Sequence, residues 1–114
     1  MKRFLNIPLN HKISIYVPGT KDVNKETDNG EHVKKIIGVL SDMFGGATAG
    51  EHLGGWRSNS GEIVTEKITI VYAFCNEESL KSNIQNVLNV CQKLKKELSQ
   101  EAISLEIDNK LYFI

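Results

Sequence analysis

The stretch Gly45-Gly46-Ala47-Thr48-Ala49-Gly50-Glu51-His52-Leu53-Gly54-Gly55-Trp56-Arg57 carries the residues best suited to holding a ligand. Glycine weakens extended structure, so five glycines there call for a reason: tight turns, bulges or the close approach of a ligand or backbone. Trp56 offers a flat stacking platform, and the Arg57 guanidinium a planar fork of donors that matches phosphate or carboxylate. Neighbouring strand residues point to opposite faces, so one pocket uses both only through a bulge or a second subunit. The competing reading makes Trp56 a core or interface residue and pairs Arg57 with Glu62 across a turn. The glycines form no phosphate-binding P-loop, because Gly45-Gly46 follows a helix instead of opening one.

Other candidates are weaker. Glu62 and Glu66 are four apart on one strand face, a spacing that acid/base work could use, although a solvated face explains them more simply. His11, His32 and His52 fall in separate elements without ligand spacing, so no metal site is expected. Cys75 and Cys91 are far apart, which fits reduced thiols in a cytoplasmic protein. Cys91 lies on an apolar helix stripe, while Cys75 ends a strand and could be exposed. Thr20-Lys21 could meet an anion from a loop. No constellation of nucleophile, base and orienting group is visible, so no catalytic residue is assigned and no cofactor is expected.

The elements that must position these residues are legible from hydrophobic periodicity. Residues 12–17 alternate as a strand with Ile13, Ile15 and Val17 on one face, ended by Pro18-Gly19. A polar loop runs over 18–30. A helix starts near Asp28, with Glu31 placed for a capping box; it carries Val33, Ile36, Ile37, Leu40 and Phe44 on one stripe, and Gly45-Gly46 ends it. After the glycine-dotted segment, read as a bulged and twisted hairpin arm, Ser58–Gly61 is a turn. Glu62 to Cys75 is a strand expected to bury Ile68, Ile70, Tyr72 and Phe74. Asn76 caps a second helix, followed by a strand at 103–107, a turn at Asp108-Asn109 and a returning strand at 111–114.

Together this predicts one domain over 1–114, an α+β fold in the ferredoxin-like β-α-β-β-α-β order, with two helices on one face of an antiparallel sheet. The chain's 14 basic and 14 acidic residues cancel, which argues against a duplex-binding protein and permits self-association. The start, Met1 to Pro8, has too short an apolar run for a secretory signal, and no run approaches a membrane span.

The text from Phe44 to Phe74, with Phe-Gly-Gly-Ala-Thr, Gly-Trp-Arg-Ser-Asn-Ser-Gly-Glu-Ile-Val-Thr-Glu and Ile-Val-Tyr-Ala-Phe, resembles small uncharacterised proteins of Gram-positive bacteria, their phages and mobile elements. That setting implies proteins that block host defence, some of which are oligomeric sponges for nucleotide signals. The resulting expectation is a non-catalytic homo-oligomer that sequesters a small anionic, nucleotide-like ligand. Trp56 or Tyr72 would stack the base, Arg57 would hold phosphate, and Thr48 with backbone amides would complete the pocket. Two alternatives stay open: a protein–protein inhibitor or adaptor, and a small hydrolase or isomerase using Glu62, Glu66 or Tyr72.

Overall fold

The computed structural model describes residues 8–21 and 25–114. In chain order the elements are β1 (His11–Pro18), β2 (Thr20–Lys21), β3 (Lys25–Glu26), α1 (Gly30–Phe44), β4 (Thr48–Arg57), β5 (Ile63–Cys75), α2 (Glu77–Glu97), β6 (Ser104–Ile107) and β7 (Lys110–Phe113). The reading of Met1 to Pro8 as lacking a signal falls almost wholly outside the described residues.

Five strands form one antiparallel sheet in the order β4-β5-β1-β6-β7, and both helices contribute to a single core. The architecture is α+β, with five antiparallel strands and two helices. β2 and β3 form a separate two-stranded ribbon, where the sequence suggested only loop. α1 ends at Gly45, whose φ of 91° lies where a side chain would be strained, and its N–H closes on the Ser41 carbonyl. Asn76 caps α2 as expected, its Oδ1 accepting from Ser79 N at 2.8 Å. At the start of α1 the cap differs. Asp28 Oδ1 accepts from Gly30 N, and the Asn29 amide donates to the Val17 and Pro18 carbonyls, tying the helix to the end of β1.

The core corrects the facing assigned to β5. Ile13, Ile15 and Val17 are fully buried, and their partners across the ladder are Ala73, Val71 and Thr69. Directly opposite residues share a face, so Thr69, Val71, Ala73 and Cys75 point toward the helices. Ile68, Ile70, Tyr72 and Phe74 face the other way, and Phe74 is 48% exposed. The alternation along β5 was apolar on both sides, so its period could not say which side meets the helices. Ile36 and Leu40 of α1, Val87, Cys91 and Leu94 of α2, and Ile103 and Leu105 complete the core.

β4 pairs with β5 through ten consecutive partners from Thr48↔Tyr72 to Arg57↔Ile63, with no bulge. β1 covers β5 only from Ile68 to Cys75, so the far part of the β4–β5 ribbon projects as an arm. The molecule is accordingly elongated, 54 Å by 25 Å by 21 Å. At the opposite edge, Asp108 and Asn109 adopt φ of 51° and 68° in the tight turn joining β6 to β7. Asp108 accepts from His11 Nδ1 and from Lys12 N, and these bonds hold its carboxyl below the usual 3.8 despite slight opposing desolvation.

Two outcomes follow from this packing. Val71→Ala should cost about 1.5–3 kcal/mol in chemical denaturation, and Ile70→Ala on the open face clearly less. Asp108 has a depressed folded pKa, so its contribution is complete above 3.8 and is lost as pH falls through the lower folded value. The stability difference between wild type and Asp108→Asn should therefore persist at pH 6 and shrink progressively below pH 3.8.

Candidate functional site

The face of the sheet away from the helices carries the residues with chemical potential. Ladder parity puts Thr48, Gly50, His52, Gly54 and Trp56 of β4 there, beside Val64, Glu66, Ile68, Ile70, Tyr72 and Phe74 of β5. Lys12, Ser14 and Tyr16 of β1 and Glu106 of β6 continue it. Two clefts open on or beside this face, at opposite ends.

The first lies at the base of the arm and has a volume of about 450 Å³; Thr20, Glu26, Leu53, Trp56, Val64 and Glu66 line it. Trp56 stands opposite Val64 and Gly54 opposite Glu66, so Trp56 and Glu66 are diagonal neighbours on one face. Such neighbours lie about 7–8 Å apart. The indole is 45% exposed, and Glu66 is half-buried with a hydrogen bond to its carboxylate from Thr20 Oγ1 at 3.0 Å. Gly54 leaves the position across from Glu66 without a side chain, and Ile68 Cδ1 leans into that space. The result is an apolar wall beside an anchored carboxylate. That combination suits a ligand with one flat ring and one cationic group.

The second cleft lies where α1 runs into β4. Its volume is about 470 Å³, with Leu9, Phe44, Thr48, Tyr72 and Phe74 among its walls. Tyr72 and Phe74 meet edge to face at 6.0 Å, and Lys12 Nζ sits 4.4 Å from the Tyr72 ring centroid. Further along the face Tyr16 donates to Glu106 at 3.4 Å, and burial together with that carboxylate pushes the Tyr16 hydroxyl above its usual value of 10.0. It therefore stays protonated at neutral pH.

The residues singled out from sequence do not converge within one chain. Thr48 and Tyr72 are cross-strand partners in the second cleft. Trp56 shares their face but stands eight residues along β4 from Thr48, about 26 Å at strand rise. Arg57 points to the other side, where its guanidinium donates to the Gly61 carbonyl and braces the hairpin turn. Among the described residues it forms no ion pair with Glu62. Glu62 itself is exposed at that turn, so Glu62 and Glu66 do not form a paired-carboxylate site. Thr20 was legible only as a loop residue; its place opposite Glu66 depends on how the ribbon continues β1.

Both cysteines are buried. Burial pushes the Cys91 thiol up to about 12, and burial followed by the Asp108 charge raises Cys75 above 9.0, so neither serves as a nucleophile. The described residues contain no cluster of ligands able to hold a metal ion. No helix among them is long and apolar enough to cross a membrane.

No protein-family model matches the chain, and no curated protein matches it in sequence. Its fold does match solved structures. A phage SAM lyase in complex with S-methyl-5'-thioadenosine aligns over 95% of this chain and 91% of its own, with TM-score 0.65 and 20% identity. A phage SAM lyase in the apo state aligns over 92% and 88%, with TM-score 0.65 and 19% identity. This finding overturns the expected non-catalytic sequestering protein, because the structures that share the fold are those of an enzyme. The phage setting and the small nucleoside-like ligand of that expectation do agree with what those structures carry.

The burial of the thiols gives a direct check. Neither Cys75 nor Cys91 should react with an aromatic disulfide reagent at pH 8 in the folded protein, and both should react once denaturant is added. Arg57→Ala removes one exposed hydrogen bond and should change stability by about 0.5–1.5 kcal/mol in a denaturant titration.

Proposed function

We propose that this chain is a lyase acting on S-adenosylmethionine and releasing S-methyl-5'-thioadenosine, built as a ferredoxin-like β-α-β-β-α-β unit with β7 added at one edge. The observation that carries the reading is the near-full-length likeness to a phage SAM lyase holding that thioadenosine. The cleft at the base of the arm supports it, because its two principal side chains match the substrate's ends. Trp56 stacks the purine and Glu66 pairs with the α-ammonium group. The phage origin of the matched structures supports a role in phage or mobile-element counter-defence by consuming the substrate.

The chemistry explains why so few groups suffice. The thioadenosine keeps both the methyl and the adenosyl substituents on sulfur, so the bond that breaks joins sulfur to the aminobutyrate chain. A lyase uses no water; elimination would need a base at the neighbouring carbon, whereas the aminobutyrate carboxylate closes on its own terminal carbon without one. The carbon–oxygen bond forms, the carbon–sulfur pair leaves with sulfur, and a five-membered lactone results. No proton moves, and no enzyme nucleophile or base is required. One negative and one positive charge disappear, so a site that excludes water favours the reaction. Trp56, Val64 and Leu53 supply apolar surface at the cleft. Glu66 engages the ammonium, fixes the chain and leaves the substrate carboxylate free to attack.

The same face supports self-association. Phe74, Leu111 and Phe113 are 48%, 49% and 72% exposed, and all three lie on the side of the sheet without helices. A second copy covering this face would remove that apolar surface from water and close the clefts to solvent.

Purified protein incubated with S-adenosylmethionine should produce S-methyl-5'-thioadenosine mole for mole with substrate loss, as read by liquid chromatography and mass spectrometry. In ¹⁸O-water the aminobutyrate product captured early should be unlabelled lactone. Recovery of intact substrate, or direct appearance of labelled open-chain product, would overturn the reading. Glu66→Gln should lower the rate roughly 10- to 100-fold, the worth of a charge-assisted contact. Trp56→Ala should raise KM about 5- to 150-fold, the range for loss of one base stack. Light scattering at tens of micromolar should give a mass above that of one chain, and a monomer would remove the self-association proposal.

A further inference from the structure

The carboxylate of Glu66 is held from outside the main sheet, and the route can be followed bond by bond. In the β1–β5 ladder Pro18 stands opposite Ile68, and Gly19 N donates to the Lys67 carbonyl at 2.8 Å. By the same count Thr20 falls opposite Glu66, on the face of the cleft. A Cβ on Gly19 would lie 2.5 Å from the Lys67 carbonyl oxygen, a backbone atom that cannot yield, so only glycine brings β2 this close. Thr20 is 7% exposed, and its hydroxyl donates to Glu66 Oε2 at 3.0 Å. Its own carbonyl accepts from Gln100 Nε2 at 3.0 Å, and that amide also donates to the Leu98 carbonyl at the end of α2. The carbonyl of Gly19 accepts from Thr27 N, which closes the ribbon back on itself.

We infer that Thr20 is a positioning residue, which fixes the Glu66 carboxylate beside Trp56 and is itself clamped by Gln100 from the end of α2. The inference rests on the proposed lyase reading for its substrate, and on the hydrogen-bond chain alone for its geometry. A free glutamate on the edge of an arm samples several rotamers and turns toward water. A buried hydroxyl bonded to one carboxylate oxygen restricts that freedom and leaves the other oxygen for the ligand's cation. Gln100 has a simple part in this, because it prevents β2 from drifting away from β5 and taking the hydroxyl out of reach.

The chain's single tryptophan lies in the cleft, so occupancy can be read without turnover. The test uses two measurements on the full chain. One is thioadenosine formation from S-adenosylmethionine, and the other is quenching of Trp56 fluorescence by ethylammonium, which offers the ammonium cation and no chain to cyclise. Thr20→Val keeps the shape and removes the donor; it should lower both turnover and ammonium affinity roughly 10- to 100-fold while the melting temperature falls by only about 2–8 °C. Thr20→Ser should restore most of the loss, which a purely structural role for the methyl group would not allow. In a Glu66→Gln background Thr20→Val should cause little further loss, since both act through one carboxylate. Wild-type turnover with Thr20→Val indistinguishable from wild type in both measurements would overturn the inference and leave the lyase reading standing. Absence of thioadenosine together with the expected ammonium pattern would remove the lyase reading and sustain Thr20. Absence of both signals in the wild type would overturn both.

Discussion

The register of β5 against β1 is the constraint on which the rest of the molecule depends. Pairing Ile15 with Val71 and Val17 with Thr69 turns the odd-numbered residues of β5 toward the helices and the even-numbered ones away. Because side chains alternate with a period of two, a slip of one residue would exchange the entire set. With this register Glu66, Ile68, Ile70 and Tyr72 share the helix-free face with Trp56 and Thr48, and that face acquires both its apolar surface and its carboxylate. With the opposite register the whole β4–β5 ribbon would invert, Glu66 and Trp56 would turn together to the other side, and Thr20 would have no partner.

A mismatch of length does the remaining work. β5 runs from Ile63 to Cys75, while β1 spans only His11–Pro18 and reaches no further than Ile68. The surplus of β5 pairs with β4 alone, which makes an arm and exposes a free strand edge beside Glu66. The β2–β3 ribbon fills that edge, entering through Gly19 and tied by Gln100 to the end of α2. The cleft thus exists because two strands outlast their neighbours and a short ribbon stops the gap. Arg57 and Gly61 hold the tip of the same arm through a guanidinium–carbonyl hydrogen bond.

The absence of a catalytic constellation pointed, in the sequence, toward storage of a ligand without turnover. The proposed chemistry shows where that inference fails. A reaction in which the substrate supplies its own nucleophile and leaving group asks for orientation, exclusion of water and one fixed countercharge. None of these leaves a motif. Buried thiols and a Tyr16 hydroxyl held above its usual value agree with the proposed reaction, in which no proton moves. Catalysis by positioning is therefore invisible to a search for nucleophiles and bases, and the solved structures that share the fold are what redirect the reading.

Periodicity and capping along the sequence determined the helices, the turn at Asp108-Asn109, the β1 core face and the cap at Asn76, because each depends on residues close together in the chain. Trp56 and Glu66 could be singled out by type, and the open sheet face could be anticipated from two helices on one side. The facing of β5 could not, since Ile68, Ile70, Tyr72 and Phe74 make as apolar a row as Val71 and Ala73. The ribbon at 20–26 could not either, because two-residue strands have no period to detect. The contact between Thr20 and Glu66 spans 46 positions and the one between Gln100 and Thr20 spans 80. Local pattern carries no information over such separations. Only the packing of β1 between β5 and β6, which decides which strand ends lie side by side, brings those residues together.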